Sequence, residues 1–180
     1  LGLGVMGIRR GYAGLVDGEI DEMDARSVGG IIGHGGTILG TARCPEFYEP
    51  KGRREALRSL NRFGIDGLVV IGGDGTLASA LKLSEEGLPV IGVPKTIDND
   101  IPFVDMTFGY ITALETAEEV LRGAHVEAKG APNGIAIVKL MGREAGYITA
   151  GAALASDEAN FVLVPEIQFP LEGEDGFLDA

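Results

Sequence analysis

Apolar and polar residues fall into short blocks along this chain, sized alternately for strands and for helices. Leu68-Val69-Val70-Ile71 is a continuous apolar run that reads as a buried strand. It breaks at Gly72-Gly73-Asp74-Gly75-Thr76, and Leu77 to Leu83 then reads as a helix within a crossover of about residues 75–87. Pro89 to Val93 is the next strand, so the two strands are expected to be parallel neighbours with their C-terminal ends on one sheet edge. Arg53 to Phe63 is predicted to be a helix with Ala56, Leu57, Leu60 and Phe63 on one face, stopped by Gly64. Its four arginines read as a solvated face. Thr107 to Ala124 is a second helix, with Ile111, Leu114, Ala117 and Leu121 at helical spacing, and Ala145 to Ala155 a third. Leu3 to Ile8 reads as a strand, and Ile135 to Leu140 and Phe161 to Val164 as buried strands. Arg9 to Gly18 reads as turn-rich. Asp24 to Ile32 reads as a short helix, and His125 to Gly134 as a polar connection near a domain boundary.

The chemistry-bearing residues cluster where these strands end. A strand that breaks into a glycine turn and feeds a helix N-terminus builds an anion site, because backbone N–H groups approach phosphate oxygens with no Cβ in the way. A tight turn needing glycine conformations is the plainer alternative. Asp74 among those donors would repel phosphate, and makes sense if Mg2+ lies between them. The next strand runs into Pro94-Lys95-Thr96-Ile97-Asp98-Asn99-Asp100, on the edge where open α/β sheets bind ligands. If that loop stays extended, Asp98 and Asp100 point the same way. Carboxylates sharing a crevice repel unless a cation or proton intervenes, and one left free of metal can take a proton from a hydroxyl. The alternative is an acidic surface loop that caps the next helix. A third cluster, Lys139-Leu140-Met141-Gly142-Arg143, places a planar guanidinium at a strand end, suited to two phosphoryl oxygens or, alternatively, to pairing with Glu144 or another acid.

Composition narrows the partners. With 15 Lys and Arg against 27 Asp and Glu, the 180-residue chain carries −12, which disfavours nucleic acid and anionic membranes. The 45% hydrophobic content and 29 glycines fit a sheet with many strand-to-helix turns, in a cytoplasmic α/β protein. Cys44 stands alone, so there is no disulfide framework, and His34 and His125 lack second ligands at metal spacing. No apolar run approaches the roughly 20 residues of a membrane span. The acidic stretch Glu172 to Asp175 reads as solvated.

Four segments taken in order resemble the 6-phosphofructokinase family: Gly36 to Arg43, Gly72 to Thr76, Pro94 to Asp100 and Met141 to Arg143. The glycine turn also occurs in NAD kinases and diacylglycerol kinases, whereas the Thr96 to Asp100 loop is specific. The resemblance spans roughly Gly4 to Phe169. It implies a Rossmann-like three-layer α/β/α architecture with mostly parallel sheets, in a two-domain phosphofructokinase fold truncated at both ends. Residues 1–125 would form the donor domain and 126–180 the start of the sugar-phosphate domain. The implied reaction is transfer of the γ-phosphate of Mg-ATP to the 1-hydroxyl of fructose 6-phosphate. Asp98 would be the general base, with Arg143 and Asp100 beside it in catalysis. Asp74 and Asp100 would hold Mg2+. Tyr12, Arg43, Cys44, Gly73, Asp74, Gly75, Thr76 and Lys95 would face the donor, and Thr96, Ile97, Asp98, Met141, Gly142 and Arg143 the sugar phosphate.

Pyrophosphate is the alternative donor. Pyrophosphate users in the family usually carry aspartate at the position of Gly75 and lysine at that of Lys95. Gly75 leaves room for an α-phosphate, and an obstruction decides specificity more firmly than an added attraction, which favours ATP. Gly134 replaces an arginine that in many regulated bacterial members reaches a neighbouring subunit's substrate. The family also implies homo-tetramers or dimers, and it includes catalytically silent regulatory subunits. The chain is expected to be an internal fragment, whose activity by itself is left open.

Overall fold

The computed structural model describes residues 2–173 and 176–179. Its elements are β1 (Val5–Ile8), α1 (Tyr12–Asp17), β2 (Ile20–Met23), α2 (Pro50–Phe63), β3 (Leu68–Gly72), α3 (Asp74–Glu85), β4 (Val90–Thr96), β5 (Phe108–Gly109), α4 (Tyr110–Gly130) and α5 (Tyr147–Ala155). Single 3-10 turns lie at Pro45–Tyr48 and Phe177–Asp179. Strands β3, β4 and β5 make one sheet in that order, so the two strands joined by α3 are neighbours as expected. β4 and β5 are parallel, with Lys95 opposite Phe108 and Thr96 opposite Gly109.

Local chemistry explains where the helices start and stop. α2 begins at Pro50, ahead of the predicted Arg53, because proline at a first helical position lacks an N–H that would be orphaned there anyway. It stops at Gly64, which takes φ 64° and donates its N–H to the Asn61 carbonyl at 3.2 Å. α4 continues past the predicted Ala124 and absorbs most of the expected polar connection at 125–134. The polar residues there are compatible with helix. The stop comes at Ala131, held in the extended region by the following Pro132.

Other expectations do not survive. The turn-rich Arg9 to Gly18 contains α1, bounded by Gly11 and Gly18 at φ 61° and 75°. The sheet pattern is mixed, because β1 pairs antiparallel with β2, with Val5 opposite Met23 and Ile8 opposite Ile20. β2 carries its apolar residues only at its ends and shows no alternation to read. Asp24 to Ile32 is a series of turns: the Asp24 carboxylate accepts the N–H groups of Arg26 and Ser27 at 2.9 Å each, the bonds of a helix N-cap, but Gly29 and Gly30 follow at once, Gly30 at φ 75°, and the chain does not continue as a helix. Residues 135–140 and 161–164 are irregular and do not form the expected buried strands. Ile135, Ile137 and Phe161 are 87%, 91% and 64% exposed. An apolar run becomes a strand only where another backbone supplies its ladder, and among the described residues none does so here. The acidic Glu172 to Asp175 stretch falls partly outside the described residues, at 174 and 175.

The chain divides into two units. One takes the chain up to Val70 together with Gly75–Gly92, and the other takes Ile71–Asp74 and the chain from Val93 onward. The first has its own core of Leu15, Ile20, Phe47, Ala56, Leu60, Leu68 and Leu83. In the second, α4 and α5 bury Ala117, Ile148 and Ala152. Gly151 permits that approach: a Cβ there would fall 2.9 Å from Leu114 Cδ2.

Candidate active site

The glycine turn forms as the apolar pattern predicts. β3 ends at Gly72 and α3 opens at Asp74, an exposed acid in a first helical turn, where the helix dipole favours negative charge. A Cβ at Gly73 would lie 3.3 Å from Thr96 Cβ, so glycine lets the turn close on the end of β4. Gly75 is different. A Cβ there would meet nothing within 4 Å, and its φ is not left-handed, so neither packing nor backbone demands glycine.

In the first unit, Tyr12 opens α1 and donates its hydroxyl to the Thr76 carbonyl at 2.8 Å. Its ring stacks on Phe47 with centroids 4.0 Å apart, and burial pushes the phenol pKa up. Tyr12 is therefore a neutral strut under the first turn of α3. Cys44 is half-buried against the core of this unit, and Arg43 beside it is exposed.

In the second unit, β4 runs on through Lys95 to Thr96, residues expected to lie in the loop. Lys95 is exposed on the strand. The Thr96 hydroxyl accepts the Asp98 N–H at 3.2 Å, which bends the chain at once. Asn99 then takes φ 54°, so the loop is not extended and strand alternation cannot align Asp98 with Asp100. Asn99 is buried. Its Oδ1 accepts the Thr107 N–H at 2.8 Å, and its Nδ2 donates to the Asp105 carbonyl at 3.4 Å. Thr107, also buried, donates its hydroxyl to the Thr96 carbonyl at 2.8 Å. Reading by sequence missed Asn99 and Thr107. The available signal was an asparagine between two aspartates, a residue type that tolerates the left-handed region and bonds its own backbone neighbours.

The same unit brings Arg143 to Asp98, with Nη2 3.6 Å from Oδ2. That contact is ionic, too long for a hydrogen bond. The Asp98 side chain is 15% exposed and that of Arg143 85%. Gly142 and Arg143 take φ 137° and 54° in succession, and the Gly142 carbonyl accepts the Ala145 N–H at 2.9 Å. Met141 is exposed. Glu166 caps the start of α5 by accepting the Gly146 N–H at 2.7 Å. Gly134 is a packing glycine here, because a Cβ would run into the Ala128 carbonyl.

Among the described residues, no group of three or more His, Cys, Asp or Glu side chains gathers as a metal cluster, so Asp74, Asp98 and Asp100 do not form a three-carboxylate site by themselves. The carboxylates of Asp74 and Asp100 nonetheless fit magnesium in kind. They are hard oxygen donors, and Mg2+ is commonly held by one or two carboxylates with phosphate oxygens and water completing the shell. No described helix is long and apolar enough to cross a membrane.

Comparison with known proteins adds a second line of support. The phosphofructokinase family model matches residues 1–175. The chain is 45% identical over 171 residues to the ATP-dependent 6-phosphofructokinase of Edwardsiella ictaluri (strain 93-146), covering 95% of this chain and 53% of that protein. It is 47% identical over 171 residues to the enzyme of the same name from Lysinibacillus sphaericus, with the same coverage. The chain thus spans about half the length of these curated relatives. Among solved structures, the Pichia pastoris phosphofructokinase in the T-state superposes with a TM-score of 0.87 at 34% identity, covering 99% of this chain and 20% of that one.

Proposed function

The chain belongs to the phosphofructokinase family, and from that premise we propose that the whole protein transfers the γ-phosphate of ATP to the 1-hydroxyl of fructose 6-phosphate. The observation that carries this reading is the meeting of Asp98 and Arg143, brought within 3.6 Å from segments far apart in sequence. A half-buried carboxylate beside an exposed guanidinium is what proton removal and phosphoryl-charge stabilisation together require.

In this reading Asp98 accepts the proton of the sugar 1-hydroxyl as its oxygen attacks the γ-phosphorus, and the bond from that phosphorus to the bridging oxygen breaks with ADP leaving. Arg143 turns its planar N–H groups to the transferring phosphoryl oxygens, whose charge grows in a loose transition state. Thr96, Ile97, Met141 and Gly142 line the sugar phosphate. Backbone N–H groups of Gly73, Gly75 and Thr76 face the donor phosphates, and Tyr12, Arg43 and Cys44 lie towards the nucleotide. Asp74 and Asp100 would hold Mg2+, which when bound neutralises donor charge. Residues 1–125 then serve the donor and 126–180 begin the acceptor part, in a cytoplasmic homo-oligomer, tetramer or dimer.

The open space at Gly75 supports ATP, and the similar proteins named above are called ATP-dependent. Lys95 is the specific residue that favours pyrophosphate instead. Assaying the whole protein with fructose 6-phosphate, Mg2+ and either donor tests the reading. Turnover with ATP supports it, turnover with pyrophosphate alone overturns the donor assignment, and turnover with neither fits a silent regulatory subunit. Gly75→Asp sharpens the test. An acid in the first turn of α3 is favoured by the dipole, so the fold is expected to hold. The like charge should lower kcat/KM for ATP by about 10- to 100-fold, and unchanged ATP kinetics would refute the steric argument.

A further inference from the structure

We infer that Asn99 and Thr107 act together as a positioning latch for the Asp98 base, the buried Asn99 side chain closing the loop from Thr96 to Thr107 around the carboxylate it adjoins. The inference rests on the phosphoryl-transfer reading above and names residues that this reading does not use.

Asn99 and Thr107 are only 9% and 3% exposed, although both sit on a polar connection between two strands. Burying polar groups there is unfavourable unless they are bonded, and these are. The Asn99 side chain donates to the Asp105 carbonyl six residues on, and its Oδ1 accepts both the N–H and, at 3.3 Å, the hydroxyl of Thr107 eight residues on. The Thr107 hydroxyl returns to the Thr96 carbonyl, while the Thr96 hydroxyl holds the Asp98 N–H. The loop is thereby closed at both ends of its turn, with Asp98 inside the closure. Thr107 also directly precedes β5, whose pairing with Lys95 and Thr96 ties the return strand to β4.

The backbone supplies an independent observation. Asn99 adopts φ 54°, a conformation that costs most residues energy but which asparagine tolerates. A conformation of this kind persists where surrounding bonds over-determine it. Here they set the direction in which the chain leaves Asp98. A base must sit within hydrogen-bond reach of the hydroxyl it serves, and displacement by about 1 Å can lower rate on the order of 100-fold.

Asn99→Gly isolates the latch, because glycine accepts φ 54° without strain and removes all three side-chain bonds. In the whole protein, this variant is expected to lower kcat with fructose 6-phosphate and ATP by about 10- to 100-fold while KM for each substrate stays within about threefold. Thr107→Val should lower kcat in the same manner, and Thr107→Ser, which keeps the hydroxyl, should restore it. Hydrogen exchange at the Thr107 amide reads the latch without turnover, slow in the wild type and faster in Asn99→Gly. A folded Asn99→Gly protein with wild-type kcat, or one whose KM rises with kcat unchanged, would overturn the positioning role while leaving the function in place. A wild type that does not turn over while its Thr107 amide is protected would overturn the function, and would reduce the latch to a structural bond. Asp98→Asn measured alongside fixes the scale: if it keeps full turnover, the base assignment fails and the positioning role with it.

Discussion

The loop that carries Asp98 and the turn that carries Arg143 meet, yet they are held in opposite ways. Around Asp98, two buried side chains knit the backbone back to β4. Around Arg143, two successive left-handed residues throw the side chain into solvent, with the Gly142–Ala145 hydrogen bond closing the turn. Under the proposed function, the difference fits two distinct tasks. A base has to be in place before the hydroxyl arrives, since its reach is one hydrogen bond. A guanidinium that follows charge from ground state to transition state gains from a long, hydrated stem and a planar fork that can swing onto oxygen pairs.

Substitutions can break this contrast. Asp98→Asn should have the largest effect, lowering kcat of the whole protein on the order of 10³-fold with little change in thermal stability. Arg143→Ala should follow at on the order of 10²-fold, and Arg143→Lys should recover only part of it because the fork is lost. If the arginine variants proved more damaging than Asp98→Asn in the same steady-state assay, the free residue rather than the held one would govern the rate. Gly142→Ala probes the turn itself. Its φ of 137° and the nearby Ala145 carbonyl leave no room for a Cβ, so thermal unfolding should show a loss of about 1–3 kcal/mol. An unchanged melting temperature would mean that the turn relaxes freely.

What could be read from sequence follows how local each signal is. The strand at Leu68, the glycine turn and the stop at Gly64 are all set within a few residues, and they form as read. The end of α4 was misplaced because polar composition suggested a connection, whereas the actual stop depends on Pro132. The segments at 135–140 and 161–164 were misread because an apolar run reports a preference for burial and says nothing of whether a neighbouring strand is present. The site divides in the same way. Local pattern singles out Asp98 and Arg143 separately and the resemblance gives them roles, but spacing alone could not bring together residues 45 positions apart. The period-two argument for Asp98 and Asp100 failed on one dihedral angle, that of Asn99. The residues that set this angle are the ones overlooked, because buried asparagine and threonine look like ordinary loop residues until their partners eight and eleven positions away are known.

The irregular apolar stretches have a colloidal consequence. Ile135-Ala136-Ile137-Val138 and Phe161-Val162-Leu163-Val164 are uncharged, β-prone tetrads, largely open to water. Against their stickiness stands a net charge of −12, which keeps copies of the chain apart by mutual repulsion. Salt shortens that repulsion to about 10 Å at 0.1 M. Preparations of the 180-residue chain should therefore stay dispersed in dilute buffer and scatter light as sodium chloride is added, with dyes that seek apolar surface brightening in step.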